Sequence, residues 1–490
     1  MALSSAARAG SIGVSSLQPE TPRALTLRSA TLICLAIALP ICLLLLAATE
    51  VISMEGIVAL GARHMNRSGD WLVPRLYGEI YAFKPPLSYW LVAVMDRLGG
   101  GLNEFTLRLP TALCGLLLGL LLVRTMGAWV SPRCGLACGL AGISTGLFIG
   151  QVAVAGFEMP VALGVGAAVL AACRNLAAPR ADWRWWMLGY AGLLVAFLSK
   201  GLPPLVTYFP GLITAAVALK RIRSLLDGRH VAGVVLFASC AAIFLWMSYQ
   251  AEGVAAFEQH LGEIAFRSSQ WTPRRLLEML IKPVLIAGIL TPWSIVLLVW
   301  PFVPKPVAPQ EMSARIGKAA WWFLIWGVVS FMAVPTDSSR YYLVLVTPLA
   351  ILCGLGIERM PDPHPRRALV LLTTIGLVIW VITSGFTQPH RAKSRSLRAV
   401  AETFRPLVPP DATILVDTQD SYSSLFFYLD RDVKRWQPRD DRPRKGDYAV
   451  LCDSVASPYI MPRGMDLQVI SEVEARDGHR YSLCRIIAEP

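Results

Sequence analysis

The chain has 490 residues, 54% of them hydrophobic and only 16% charged, with a mean hydropathy of +0.51. Soluble globular chains carry about 25% charge, so the composition excludes that class, and recurrent apolar runs of about 17–23 residues exclude a membrane β-barrel in favour of spanning helices. The net charge of +13 gathers on short loops and span ends, where it reports membrane topology and not nucleic-acid binding.

In chain order, residues 1–28 read as a disordered cytoplasmic N-terminus. The first apolar run, 29–49, is longer than the core of a secretory signal and is expected to be an uncleaved anchor. Further spans are predicted at 107–127, 135–154, 159–173, 185–199, 203–219, 230–248, 282–301, 319–334, 341–357 and 368–387. The expectation is an all-α polytopic membrane domain of about 11 transmembrane helices over 29–387. With the N-terminus inside, alternation places Arg124, Arg133, Arg174, Arg180, Arg184, Lys220, Arg221, Arg223, Arg229 and Lys305 on the cytoplasmic side, as the positive-inside rule requires.

That topology leaves four pieces outside: a long first loop (50–106), a second loop (249–281), the stretch 335–342, and the tail 388–490. The inner face receives only short basic connectors, so the work is expected outside. Within the first loop, 53–69 and 85–100 read as short interfacial helices, the second opened by Pro85 and Pro86 and closed by Gly99 and Gly100. In the tail, 412–417 and 447–452 read as strands and 421–430 as a helix, which predicts a small α/β extracytoplasmic domain. Most of the ten cysteines fall in or beside spans as small apolar residues. Cys452 and Cys484 lie in the tail and leave one disulfide open.

Ionisable residues at membrane level are functional candidates by default. Lys84 stands before two prolines that stiffen its turn, near Tyr77, Tyr81, Tyr89 and Trp90. An ammonium there suits a lipid phosphate; the plainer alternative is a snorkelling lysine. Glu55 and Glu158 fall at the outer boundary, placed to take a proton from an attacking hydroxyl or amine, or else to serve as ordinary helix-boundary acids. Lys200 precedes a Gly-Leu-Pro-Pro turn against the grain of the positive-inside rule, and Arg267, Arg274, Arg275 and Arg340 add outer cations. His260 either joins them or is a plain surface histidine. No HExxH, CxxC pair or acidic triplet in the outer loops provides a metal-ligand motif, and there is no P-loop or dinucleotide fingerprint, so no cofactor is predicted.

Several stretches together resemble a known group. "RSGDWLVPRLYGEIYAFKPPLSYWL" (67–91) and "NEFTLRLPTAL" (103–113) resemble the GT-C membrane glycosyltransferases of the protein O-mannosyltransferase and lipid A aminoarabinose transferase type. "FLSKGLPPLV" (197–206), "TPWSIVLL" (291–298) and "PTDSSRYYLVLVTPLAIL" (335–352) follow in that group's order, so the resemblance covers roughly 50–350. It implies a bacterial inner-membrane enzyme with a sugar donor on undecaprenyl phosphate and a lipid or glycan acceptor such as lipid A. The group's first-loop Asp-Glu pair falls on Met54-Glu55, its second acid on Glu158, its phosphate-binding lysine on Lys84, its Lys-Gly lysine on Lys200, its late tyrosine on Tyr342 and its outer-loop arginine on Arg267. The usual Glu before Lys-Pro-Pro is Phe83 here.

The combined expectation is Glu55 as base with Glu158 second, and Lys84, Lys200, Arg267 and Arg340 on the donor phosphate. Tyr81, Tyr89, Tyr342 and His260 are expected to line the pocket. Three rivals stand beside it: transfer to protein hydroxyls, transport of a polyprenyl-linked substrate, and a non-catalytic glycolipid-binding homologue, the last motivated by Met54 and Phe83.

Overall fold

Helices form where apolar runs meet a local start signal. In the computed structural model, which describes residues 25–268, 273–302, 311–333, 338–416, 423–435, 446–453 and 466–488, α1 (Leu27–Leu43) opens on a reciprocal cap. The Ser29 amide donates to Thr26 Oγ1 at 3.1 Å and the Thr26 amide to Ser29 Oγ at 2.9 Å. The first loop holds two further helices, α2 (Ser53–Ser68) and α3 (Leu87–Gly99), joined through a two-residue hairpin, β1 (Arg75–Leu76) with β2 (Glu79–Ile80). The expected interfacial helices at 53–69 and 85–100 are these.

The long α4 (Glu104–Trp129) starts at Asn103, whose side chain accepts from the Phe105 and Thr106 amides. Next come α5 (Pro132–Ile143), α6 (Gly146–Val152), α7 (Glu158–Ala177), α8 (Trp183–Lys200) and α9 (Pro203–Ala218). Six helices among the described residues are each long and apolar enough to cross a bilayer: α4, α7, 228–256, 311–333, 339–358 and one within 364–407. The protein is therefore a multi-pass membrane protein, mostly helical. Where the hydropathy predicts one span at 135–154, α5 and α6 meet at a 59° bend. The chain stops at Ser144, whose hydroxyl turns back onto the Leu140 carbonyl, and restarts under a Thr145 cap on the Phe148 amide. The Gly146 amide finds its partner elsewhere, on the Thr291 carbonyl at 2.9 Å.

One packing contact positions the chemistry. Helices α7 and α8 run against each other with Gly164 and Gly192 face to face. A β-carbon on Gly164 would lie 2.3 Å from the Gly192 carbonyl oxygen, and one on Gly192 would lie 2.5 Å from the Gly164 oxygen. Small residues thus bring the two backbones together, as is common where helices pack in lipid. Because the hairpin is antiparallel, the first residue of α7, Glu158, meets the last residue of α8, Lys200.

The tail carries a five-stranded sheet built from β3 (Thr413–Val416), β4 (Asp432–Arg435), β5 (Tyr448–Cys452), β6 (Asp466–Glu474) and β7 (Arg480–Ala488), in the order β4-β3-β5-β7-β6. β3 pairs in parallel with β4 and β5, while β7 runs antiparallel to β5 and β6. With the helix Ser423–Leu429 between β3 and β4, this is the expected small α/β unit. Its register closes the disulfide question: Cys452 lies opposite Tyr481, and Cys484 opposite Ala449. The two cysteines are offset by three positions, roughly 10 Å along the strand and on opposite faces, beyond the reach of a disulfide. Neither is disulfide-bonded.

Candidate active site

The two candidate acids sit in different surroundings. Glu55, in the first turn of α2, is buried at 2% exposure. Arg108 of α4 grips it with both arms, Nε to Oε1 at 2.7 Å and Nη2 to Oε2 at 2.8 Å. The Ala155 amide donates to Oε1 at 2.9 Å and the Ile52 amide to Oε2 at 3.3 Å. Arg108 spends its remaining donors on the carbonyls of Leu46, Thr49 and Glu50. Each carboxylate oxygen therefore accepts two hydrogen bonds, so the group is held on every side. This is a clamp joining the end of α1, the start of α2, α4 and the turn before α7. The sequence made Glu55 the first choice for a base; its geometry disfavours that, because no oxygen is left open to an incoming proton.

Glu158 is also buried, but its neighbours are cations on two separate elements. Its Oε1 lies 3.1 Å from Lys200 Nζ and 3.2 Å from Arg340 Nε, and Oε2 accepts from the Phe157 amide at 3.1 Å. Lys200 Nζ stands 3.5 Å from the centroid of the Tyr341 ring, with the Arg340 guanidinium 5.4 Å from the same ring. Lys84 is buried to 7% exposure and close enough to Lys200 for the two ammonium charges to repel. The turns that carry them lie close together, since a β-carbon on Gly201 would come within 3.9 Å of Pro85. Gly201 itself has φ +74°, a conformation that disfavours any other residue there. The side chain of Arg340 keeps 26% exposure, so the group opens on that side.

The structure thus brings together Lys84, Glu158, Lys200 and Arg340, which are far apart in the chain. It does not bring the other candidates to the same place. Tyr89 is a core residue, edge-on to Phe157 at 5.5 Å. Tyr81 packs edge-on to Phe83 and against the tail's core. Tyr342 is buried edge-on to Phe331, while its neighbour Tyr341 presents its ring to the cations. The side chains of His260 and Arg267, like those of Arg274 and Arg275, lie outside the described residues. Sequence reasoning missed Arg108 and Tyr341. Arg108 had a readable signal: it is a charge inside a predicted span, where such residues are rarely idle.

Chemically, a carboxylate flanked by a guanidinium and an ammonium, with a second ammonium and an aromatic face close by and the group largely withdrawn from water, is equipped to hold an anion such as a phosphate and to place one proton acceptor beside it.

Residues 83–246, which hold Lys84, Glu158 and Lys200, match the family described as dolichyl-phosphate-mannose-protein mannosyltransferase. The undecaprenyl phosphate-alpha-4-amino-4-deoxy-L-arabinose arabinosyl transferase 1 of Pseudomonas fluorescens (strain Pf0-1) is 26% identical over 328 residues, covering 63% of this chain and 54% of that one. The corresponding transferase of Pseudomonas aeruginosa (strain UCBPP-PA14) is 27% identical over 310 residues, 59% and 52% of the two chains. The chain spans about half the length of the curated relatives it matches. The crystal structure of ArnT from Cupriavidus metallidurans bound to undecaprenyl phosphate superposes with a TM-score of 0.75 at 18% identity, over 92% of this chain and 97% of that one. This chain is thus a membrane protein with the fold seen in ArnT, and its residues 83–246 are similar to that mannosyltransferase family.

Proposed function

We propose that the protein is a glycosyltransferase of the bacterial inner membrane that moves a sugar from undecaprenyl phosphate to an extracytoplasmic lipid or glycan acceptor such as lipid A. The observation that carries this reading is the convergence of Lys200 and Arg340 on the Glu158 carboxylate, with Lys84 close to Lys200. The likeness of the chain to transferases named for that donor supports it. In this reading the N-terminus is cytoplasmic, the cradle opens at the outer rim of the bilayer, and the tail from 388 onward lies outside. A protein hydroxyl is the second acceptor class, favoured by the description of the matched family. Transport is the weaker reading, because these charges cluster at helix ends, at the start of α7 and the end of α8.

The chemistry follows from the cradle. The acceptor oxygen or nitrogen attacks the anomeric carbon, the bond from that carbon to the phosphate oxygen breaks, and its electron pair leaves on the lipid phosphate. Lys84, Lys200 and Arg340 stabilise that developing charge. Glu158 is the assigned proton acceptor. Before the donor arrives, Lys200 and Arg340 neutralise its carboxylate; a phosphate that draws those cations to itself leaves Glu158 more basic, beside the acceptor. Glu55 is assigned to holding the first loop.

The test is release of undecaprenyl phosphate from an undecaprenyl-phosphate sugar in proteoliposomes. Lys84→Ala is expected to cut turnover by roughly 10²-fold, in line with losing one donor to a developing anion. Glu158→Gln is expected to lower kcat by about 10²-fold or more while leaving KM for the donor unchanged or lower, since the phosphate no longer competes with a carboxylate. Full turnover in both variants would sink the assignment.

A further inference from the structure

A second group of chemistry-bearing side chains lies in the tail's sheet, and the glycosyl-transfer reading makes no use of it. Cys452 is the last residue of β5, Asp453 follows it, and His479 closes the turn between β6 and β7. One ligand-type atom from each, the Cys452 sulfur, an Asp453 carboxylate oxygen and a His479 ring nitrogen, all lie within 4.8 Å of one another. His479 Nδ1 is 3.7 Å from Asp453 Oδ1. A tetrahedral zinc ion with bonds of about 2.0–2.3 Å sets its ligand atoms roughly 3.3–3.8 Å apart, so small side-chain movements suffice.

The backbone fixes this arrangement. The Asp453 amide donates to the Arg480 carbonyl at 3.1 Å, and the Arg480 amide returns a bond to Asp453 Oδ1 at 2.8 Å, extending the β5–β7 pairing past Cys452. The turn is closed by Ala475 N to His479 O at 2.8 Å, with Gly478 at φ +85°. Asp477 accepts from the His479 amide through Oδ1 and from the Tyr481 hydroxyl through Oδ2, and Tyr481 in turn touches Cys452. Outer contacts of this kind orient metal ligands. An ordinary surface ion pair accounts for Asp453 and His479, whose side chains are 48% and 44% exposed. It does not account for a thiol within reach of both.

We propose that Cys452, Asp453 and His479 form a binding site for a zinc-class divalent cation, which pins the end of β5 to the β6–β7 turn and leaves a fourth position for water or one further ligand. The mixed sulfur, nitrogen and oxygen donors select zinc and its neighbours over magnesium or calcium, which take oxygen. Binding forms the metal–sulfur bond as the thiol proton leaves to solvent, with no change of oxidation state. A thiol nucleophile served by the same histidine is the rival use, and the burial of Cys452 at 2% exposure speaks against it.

The experiment uses the full chain in detergent micelles, stripped with a chelator and titrated with Co²⁺. The wild type is expected to develop a thiolate-to-cobalt charge-transfer band with the visible bands of tetrahedral cobalt, and zinc is expected to bleach both. Cys452→Ser removes the charge-transfer band, whereas Cys484→Ser, on the opposite face of the sheet, keeps it. His479→Gln, a half-exposed change that spares the fold, weakens cobalt binding more than about tenfold, the low end of what even outer-contact changes cost. Thermal melts with and without zinc accompany each variant, so that a misfolded Cys452→Ser is recognised and His479→Gln then decides the matter. Absence of the band in the wild type, its survival in folded Cys452→Ser, or unchanged affinity in His479→Gln overturns the proposal.

Discussion

Glu55 and Arg108 illustrate why a buried carboxylate's partners matter more than its position in a motif. Both are at 2% exposure, and their charges are matched by two direct contacts and by backbone groups on every remaining side. Removing one partner of such a pair leaves an uncompensated charge and costs about 3–5 kcal/mol, whereas removing both together costs less. Glu55→Gln and Arg108→Gln should therefore each lower the melting temperature sharply, and the double variant should melt above the value expected from adding the two losses. A Glu55→Gln protein that keeps its melting temperature but loses turnover would return Glu55 to the role of base. The sequence made the acid legible, because the block around Gly69-Asp70-Trp71 fixes where it falls. It hid the partner, since nothing local links Glu55 to a residue 53 positions away. The same separation hides the group formed by Cys452, Asp453 and His479: the histidine arrives only through the pairing of β7 with β5.

At the scale of elements, the cradle depends on how closely α7 and α8 approach. Glu158 and Lys200 face each other at one end of the hairpin, and the Gly164–Gly192 contact lies further along it. A β-carbon at either glycine would fall well inside van der Waals contact with backbone, which cannot rotate away as a side-chain tip can. The helices must then separate, and overpacking of this kind costs about 1–3 kcal/mol. Gly164→Val and Gly192→Val are expected to lower thermal stability by that order and to reduce turnover without altering any charged residue. By contrast, Gly150→Ala, at a position with nothing among the described residues within 4 Å of an added β-carbon, should do neither. Equal activity in all three variants would show that the hairpin does not set the site. Hydropathy alone marks both helices but not their contact. It also joins α5 and α6 into one predicted span, because Gly146–Val152 is as apolar as its neighbour and only the Ser144-Thr145 pair records the break.

For the whole molecule, the question is what holds the tail's sheet against the first loop. Ion pairs are the visible contacts: Arg63 and Arg67 of α2 with Asp430, Arg67 with Asp432, and Arg435 with Glu79. Most of these groups are exposed, with Arg67 at 49% and Asp432 at 75%, and such pairs contribute about 0–1 kcal/mol each. The buried contacts are of another kind. Phe427 packs into the first loop's core, and the Tyr428 hydroxyl accepts from the Val51 amide and donates to Glu104. Gly56 lies so near the backbone of Ser423 that a β-carbon there would come within 2.4 Å of it. Magnitudes therefore assign the docking to shape and burial. Arg67→Glu should leave the tail docked, with unchanged resistance to limited proteolysis and no new sensitivity to salt. Gly56→Leu, which inserts a side chain where the Ser423 backbone lies, should loosen the tail and expose it to cleavage while the membrane helices stay intact. If instead Arg67→Glu frees the tail and Gly56→Leu does not, the surface charges hold the two parts together, and raising the salt concentration alone should then separate them.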